Sequence, residues 1–275
     1  MSLSTAQPRQ SNVFKEMIGS LKRTLAIATN AFREVIRDRV LYLIVLYALV
    51  MAAAWRLLPE VAATTEDKML LDVGLAAIDV LGSIVAIFVG TGLINKEIDK
   101  RTVLVLIPKP ISRAEFIIGK QLGLSAVLGV LVALMTVIYL AFLSLAQISY
   151  PVVSILIAAV YLFFKLCLLT GIALMLGVFT SSLLATLLTF GIYLMGHSSR
   201  DLLALGNLSR NADIERLTQA LYLVLPDLSR LDLKNQAVYG ILPDSITLLS
   251  NAVYGLLYTV LVLAIAILIF SRREF

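Results

Sequence analysis

Six apolar runs leave this chain few ways to fold. They cover residues 39–59, 73–95, 117–147, 152–179, 183–198 and 246–270. A helix needs about 20 apolar residues to cross a hydrocarbon core of about 30 Å. In lipid each backbone amide must find its partner inside the protein, and a helix does so within one segment. The runs therefore predict an all-α polytopic membrane protein, with six transmembrane helices forming a single transmembrane domain over 1–275. Composition agrees: 60% of residues are hydrophobic, 15% are charged and the mean hydropathy is +0.94, whereas soluble domains carry about 25% charged residues. The fifth run is short, so its outer end is expected to be broken or re-entrant. The first 30 residues hold no compact apolar stretch with a cleavage site, and no signal peptide is expected.

Lysine and arginine set the orientation, because loops rich in them stay in the cytoplasm. Residues 1–39, the stretch 94–120 and the tail together carry 15 basic residues against seven acidic ones. The alternate loops, 56–72 and 198–250, carry seven basic against ten acidic. Both termini are thus expected in the cytoplasm. The net charge of +5 reads as an orientation signal and not as a nucleic-acid footprint, since no basic patch carries interleaved aromatics. One cysteine, Cys167, and one histidine, His197, offer neither a disulfide nor a metal site.

Residues 12–38 show Phe14, Ile18, Leu21, Leu25, Ala28, Phe32 and Ile36 at helical spacing. Lys15, Lys22, Arg23, Arg33 and Arg37 supply a polar side, which predicts an amphipathic helix on the cytoplasmic lipid surface. On the second run Gly82, Ala86 and Gly90 recur every fourth residue, a spacing that lets helix backbones approach closely. Asp79 shares that face, and Lys165 lies in the fourth run. Ionisable groups inside a membrane face protein or a cavity. From the run limits the two backbones differ in depth by roughly 8–12 Å at 1.5 Å per residue, so a direct pair is expected to be strained; lining a substrate path is the other reading. The turn "FTSSLLA" makes the fourth and fifth helices antiparallel neighbours. In 198–250 the apolar spacing is interrupted at Pro226, Gly240 and Pro243, which predicts short helices on or dipping into the outer face.

The segment "INKEIDKRTVLVLIPKPISRAEFIIGK", Ile94 to Lys120, packs nine charges and two prolines between two apolar runs. Pro108 and Pro110 cannot continue a helix, and Ser112 to Glu115 match a capping box ahead of the next run. The result is a charged knuckle over 96–116 on the cytoplasmic face, suited to docking a partner.

These residues carry a resemblance. "NKEIDKRTVLVLIPKPISRAEFIIGKQLG" resembles the signature of permease subunits of type-2 ATP-binding-cassette transporters, and more narrowly the branch labelled multicopper-enzyme-maturation permeases. The motif positions fall at Glu97, Arg101, Thr102, Lys109, Pro110, Ile111, Ser112, Arg113, Gly119 and Lys120. "NAFREVIRDRVLY", "LPDLSRLDLKNQAVYG" and the terminal "FSRREF" are similar to other runs of that family. The resemblance implies a type-2 exporter-like permease in the cytoplasmic membrane of a prokaryote, surrounded by membrane lipid. It implies a homodimer with a second permease copy, above two ATP-binding-cassette ATPase subunits. The knuckle would be the coupling helix, with Glu97, Asp99, Lys100, Arg101, Lys109 and Arg113 at the contact, and the N-terminal helix a second contact. ATP and Mg would sit in the partner ATPase, with no cofactor in this chain, and the outer face leaves room for a periplasmic or outer-membrane accessory protein.

The chain itself carries no ATPase motif. "AEFIIGKQ" has Ala114 and Gln121 where a phosphate-binding loop needs glycine and serine or threonine. No G-x-S-x-G accompanies His197, so a hydrolase lacks its nucleophile turn. Two other readings stay open: an ion-coupled secondary transporter or channel using Asp79, and a membrane anchor or assembly factor without flux of its own.

Overall fold

The computed structural model describes the backbone of residues 8–61, 65–99, 112–209 and 211–272. Every regular element among them is helical. In chain order they are α1 (Pro8–Val35), a π-helical turn (Ile36–Val40), α2 (Tyr42–Val61), α3 (Glu66–Asp99), α4 (Arg113–Leu145), α5 (Val152–Phe179) and α6 (Ser182–His197). Then follow α7 (Ser199–Leu208), α8 (Ala212–Val224), a 3₁₀ turn (Leu228–Leu231), α9 (Lys234–Tyr239) and α10 (Ser245–Arg272). Five of these, α2, α3, α4, α5 and α10, are long and apolar enough to cross a membrane. The fifth apolar run forms α6, which has only 16 residues.

Helix α5 is the hub of the bundle. It packs against α3, α4, α6, α9 and α10, which is why its buried residues lie all round it. A two-residue turn at Thr180 and Ser181 leads into α6, which returns antiparallel beside it. At the opposite end α4 and α5 are joined by a short turn in which Gln147 adopts positive φ.

Helix α1 does not lie free. Its Thr24, Ala28, Ala31 and Val35 are buried, and it makes its principal contact with α4. The crossing is close because α4 presents Gly119 and Gly123, one turn apart. A Cβ on Gly119 would come 2.7 Å from Ile27 Cγ2, and one on Gly123 2.5 Å from the Ala28 carbonyl oxygen. A second apolar stripe, Met17, Ile18, Leu21 and Leu25, stays exposed. The expected amphipathic helix thus spends part of its apolar side on a protein contact.

Between α8 and α10 the chain turns back into the bundle. Leu228, Leu231, Leu233, Ala237 and Val238 are all buried, against α3, α5, α6 and α10. Gly240 ends α9 at φ +67°, a conformation costly for other residues. The Ile241 amide then bonds the Gln236 carbonyl at 2.9 Å and closes the helix. The 3₁₀ turn and α9 form a re-entrant plug.

Candidate functional site

The plug rests on a buried ring of charge. Asp79 on α3 and Lys165 on α5 are each about 1% exposed. Lys165 Nζ lies 2.6 Å from Asp79 Oδ1, so the pair is direct and not offset in depth. Hydropathy places the start of the second run at residue 73, whereas α3 begins at Glu66 with an acidic first turn. Asp79 is thus thirteen residues from the start of α3, as Lys165 is from the start of α5 at Val152. The Ser83 hydroxyl, one turn along α3, also donates to Asp79 Oδ1.

Two plug residues complete the ring. Lys234 Nζ at the start of α9 donates to Asp79 Oδ2. Asp232 Oδ2 stands 3.1 Å from Lys234 Nζ and 3.7 Å from Lys165 Nζ. Charges alternate around the four groups, so the ring is neutral as a whole and each ion has two opposite neighbours. His197, at the end of α6, adds Nε2 at 3.4 Å from Asp232 Oδ2. Burial alone would push the Lys234 ammonium down, but the Asp79 and Asp232 carboxylates outweigh it and hold the group above the ordinary lysine value. For a raised lysine, the linked stability is complete below the unfolded-state value and is lost only as pH rises through the folded-state value. The prediction is that thermal stability owed to Lys234 is flat across the neutral range and falls only in alkali, as a melting series in pH would read.

A second carboxylate ties the plug to its surroundings. Asp227 Oδ1 accepts from Ser199 Oγ of α7 and Ser229 Oγ, and its Oδ2 accepts from Arg230 Nε at 3.1 Å. Its amide donates to the Tyr254 hydroxyl of α10 at 2.8 Å, and the Arg230 guanidinium lies over the Tyr254 ring. Above the ring is a polar cleft of about 530 Å³, lined by Asp72, His197, Asp201, Ser229, Asn235 and Gln236 beside Asp232 and Lys234. Asp72, in the second turn of α3, and His197, the last residue of α6, stand on its wall.

The small-residue face of α3 lies against α5. A Cβ on Gly82 would come 2.7 Å from Leu166 Cδ1, and one on Gly90 2.8 Å from Ala173 Cβ; Ala86 between them is fully buried. This close approach brings Asp79 and Lys165 within reach of each other.

At the other end, Ser112 and Glu115 form the expected capping box on α4. Glu115 also accepts both Arg23 Nε and Nη2, at 3.1 and 2.7 Å, and so ties α1 to the start of α4. Arg113 donates to the carbonyls of Phe270 and Ser271 at 2.5 and 2.8 Å, at the last turn of α10. Phe116 stacks on Phe270 beneath it. Glu97 and Asp99 lie on the last turn of α3, with side chains outside the described set. Lys100, Arg101 and Lys109 lie outside the described residues.

Residues 25–275 match the family model for ABC-2 family transporter proteins. The chain belongs to that family. No curated protein matches it.

As an ABC-2 permease it is a multi-pass membrane protein and a transport subunit, and its family implies an ATP-binding-cassette ATPase as partner. Within this permease, Arg113 is engaged by its own α10. Arg113→Gln is therefore expected to loosen the last turn of α10 before it affects any partner. Hydrogen–deuterium exchange over 265–272 should rise in the variant and stay unchanged over α2. Asp227, Asp232 and Lys234 were not among the residues the sequence pointed to. Their signal is there in "PDLSRLDLKNQ": four charges interleaved with three leucines within eleven residues. Such a density at a place that buries every leucine around it marks a structured polar contact.

Proposed function

We propose that this permease is the membrane half of an ATP-driven exporter in the cytoplasmic membrane of a prokaryote. In this reading two copies pair above two ATPase subunits, which hold the ATP and Mg. Both termini are cytoplasmic, and α6 completes a set of six spans. Residues 96–116 dock on the ATPase, with Glu97, Asp99, Lys100, Arg101 and Lys109 as contacts and Arg113 joining the docked segment to α10. The plug closes the outer end of the path, and closure of the ATPases on ATP shifts the bundle so that the plug is released.

The observation that carries the reading is the plug held by the ring. A segment that returns into the bundle and is fastened by ion pairs to both α3 and α5 is built to be held in one place and let go as a unit. A group of ions with no net charge can separate into a wet cleft, since water replaces the lost partners. An ion-coupled carrier would instead need an acid free to take the ion, and Asp79 is engaged by both Lys165 and Lys234.

The test uses cells that express the permease together with its ATPase. In a Cys167→Ser background, single cysteines replace Ser2, Lys109 and Asn207. An impermeant thiol reagent on intact cells should reach only position 207; labelling at 109 would reverse the orientation. Charge reversal at both Glu97 and Arg101 should reduce ATPase co-purification sharply while the permease still inserts, because like charges then face each other across the contact. Undiminished co-purification would remove residues 96–116 from the docking role.

A further inference from the structure

The flank of the bundle formed by α4 and α5 holds a groove that neither the ring nor the plug uses. It has a volume of about 440 Å³, and its walls include Gly129, Ala133 and Thr136 of α4 and Ala159, Val160 and Phe163 of α5. Small side chains open it. Phe163 Cε2 would stand 3.4 Å from a Cβ on Gly129, so those two residues close the inner end. From there the groove reaches Leu140, about 16 Å away at 1.5 Å per residue. Just beyond Leu140, Phe142 packs edge-on against Trp55 with 6.3 Å between ring centroids. Ser144 Oγ and the Tyr150 hydroxyl lie 2.8 Å apart at the same end. Aromatic rings with a polar handle gather at the membrane–water boundary. The groove thus starts at headgroup level and runs inward along two helices that are long and apolar enough to cross the membrane.

One polar group in this groove has no partner. Among the described residues, the buried threonines Thr24, Thr91, Thr170, Thr189 and Thr218 each donate to a carbonyl three or four residues back on their own helix. Thr136 is 4% exposed, and its hydroxyl bonds nothing. A buried hydroxyl left in this way is costly, and at membrane depth no water comes to relieve it. An occupant that brings an oxygen to this point removes the cost. The rims limit how wide that occupant can be. Val137 and Val160 are 63% and 51% exposed, and Thr136 lies below them. A helix about 10–12 Å across with its side chains would ride on these rims and never reach Thr136. A hydrocarbon chain is thin enough to reach the floor, and an acyl chain carries an oxygen acceptor, its ester carbonyl, at the head.

We propose that the α4–α5 groove binds one phospholipid of the surrounding bilayer. One acyl chain lies along the groove toward Gly129. Its ester carbonyl, drawn about one helical turn below Leu140, accepts from the Thr136 hydroxyl. The second chain and the headgroup stay outside the groove. Close apolar packing supplies the attraction, and the single hydrogen bond sets the depth at which the chain stops. The site depends neither on the direction of transport nor on the plug.

The experiment uses the permease with its ATPase, reconstituted in a single defined lipid and released in a native mass spectrometer, which counts the lipids each complex retains. In diacyl phosphatidylcholine the wild type should keep one lipid per permease copy. In the dialkyl-ether analogue, which has the same chains and no ester carbonyl, retention should fall severalfold. Thr136→Val keeps the shape of the side chain, removes the hydroxyl, and should hold both lipids at that lower level. Ala133→Phe fills the groove from its open side and should hold neither. Equal retention of the two lipids by the wild type would overturn the Thr136 contact. Full retention in Ala133→Phe would overturn the groove as the site. Disulfide-linked permease dimers through Ala133→Cys, in the Cys167→Ser background, would overturn the lipid in favour of a second copy. Loss of the retained lipid on ATP turnover would overturn a resident lipid in favour of a transported one.

Discussion

Replacing Lys165 with methionine is expected to cost about 3–5 kcal/mol of stability, the usual consequence of stripping one partner from a buried ion pair. The variant leaves two aspartates facing one lysine, with Asp79 1% exposed and unable to recruit water. Asp79→Leu inverts the imbalance, leaving two lysines facing Asp232, and should be as damaging. The double variant Asp79→Leu/Lys165→Met removes one ion of each sign and restores neutrality, with Lys234 still paired to Asp232 at 3.1 Å. It should be more stable than either single variant, since apolar replacement of a whole buried pair is often neutral. Unfolding of the purified permease–ATPase complex in denaturant gives the coupling energy. Simple additivity of the two losses would mean the four charges do not act as a unit. The double variant also separates stability from function. It should fold yet hold its plug less firmly, which raises thiol labelling of a cysteine at Gln236.

Gly123→Val should free α1 from α4. The obstacle at this position is the Ala28 carbonyl, 2.5 Å from where a Cβ would stand, with Ala31 Cβ at 2.7 Å. A flexible side chain could swing away from such a clash; a backbone carbonyl moves only with its helix. Overpacking of this kind costs about 1–3 kcal/mol in ordinary cores and more where nothing can give. The expected result is loss of the Arg23–Glu115 clamp and exposure of Lys22, Arg23 and Arg33 to trypsin. Gly92→Ala is the control, since a Cβ there meets nothing within 4 Å. Equal trypsin resistance in wild type and Gly123→Val would show that α1 is held by other contacts.

Much of the architecture was legible because hydropathy is a property of one segment at a time. The apolar runs became α2 to α6 and α10, the Ser112–Glu115 capping box formed as its residue types require, and the short turn after Phe179 made α5 and α6 neighbours. Gly82, Ala86 and Gly90 were visible as a close-packing face, but their partner, α5, was not. Gly119 is visible in the sequence only as a motif position, and its pairing with Gly123 as a close-packing face is not, because nothing in a single sequence says that α1 lies across it.

The charges divide the same way. Asp79 and Lys165 stood out individually, since an ion in an apolar run is costly wherever it points. Their separation was misjudged because α3 starts seven residues earlier than its hydropathy, with Glu66, Asp67 and Asp72 masking the first turns. Asp232 and Lys234 belong to a segment whose burial comes from re-entry, not from its own composition. The sequence by itself determined which segments are helical and apolar and where the ions sit along them, because those follow from local transfer energies and caps. Only the tertiary structure decided which ions meet, because pairing requires residues from α3, α5 and the plug to arrive at one depth, and that depth is set by the packing of all three together.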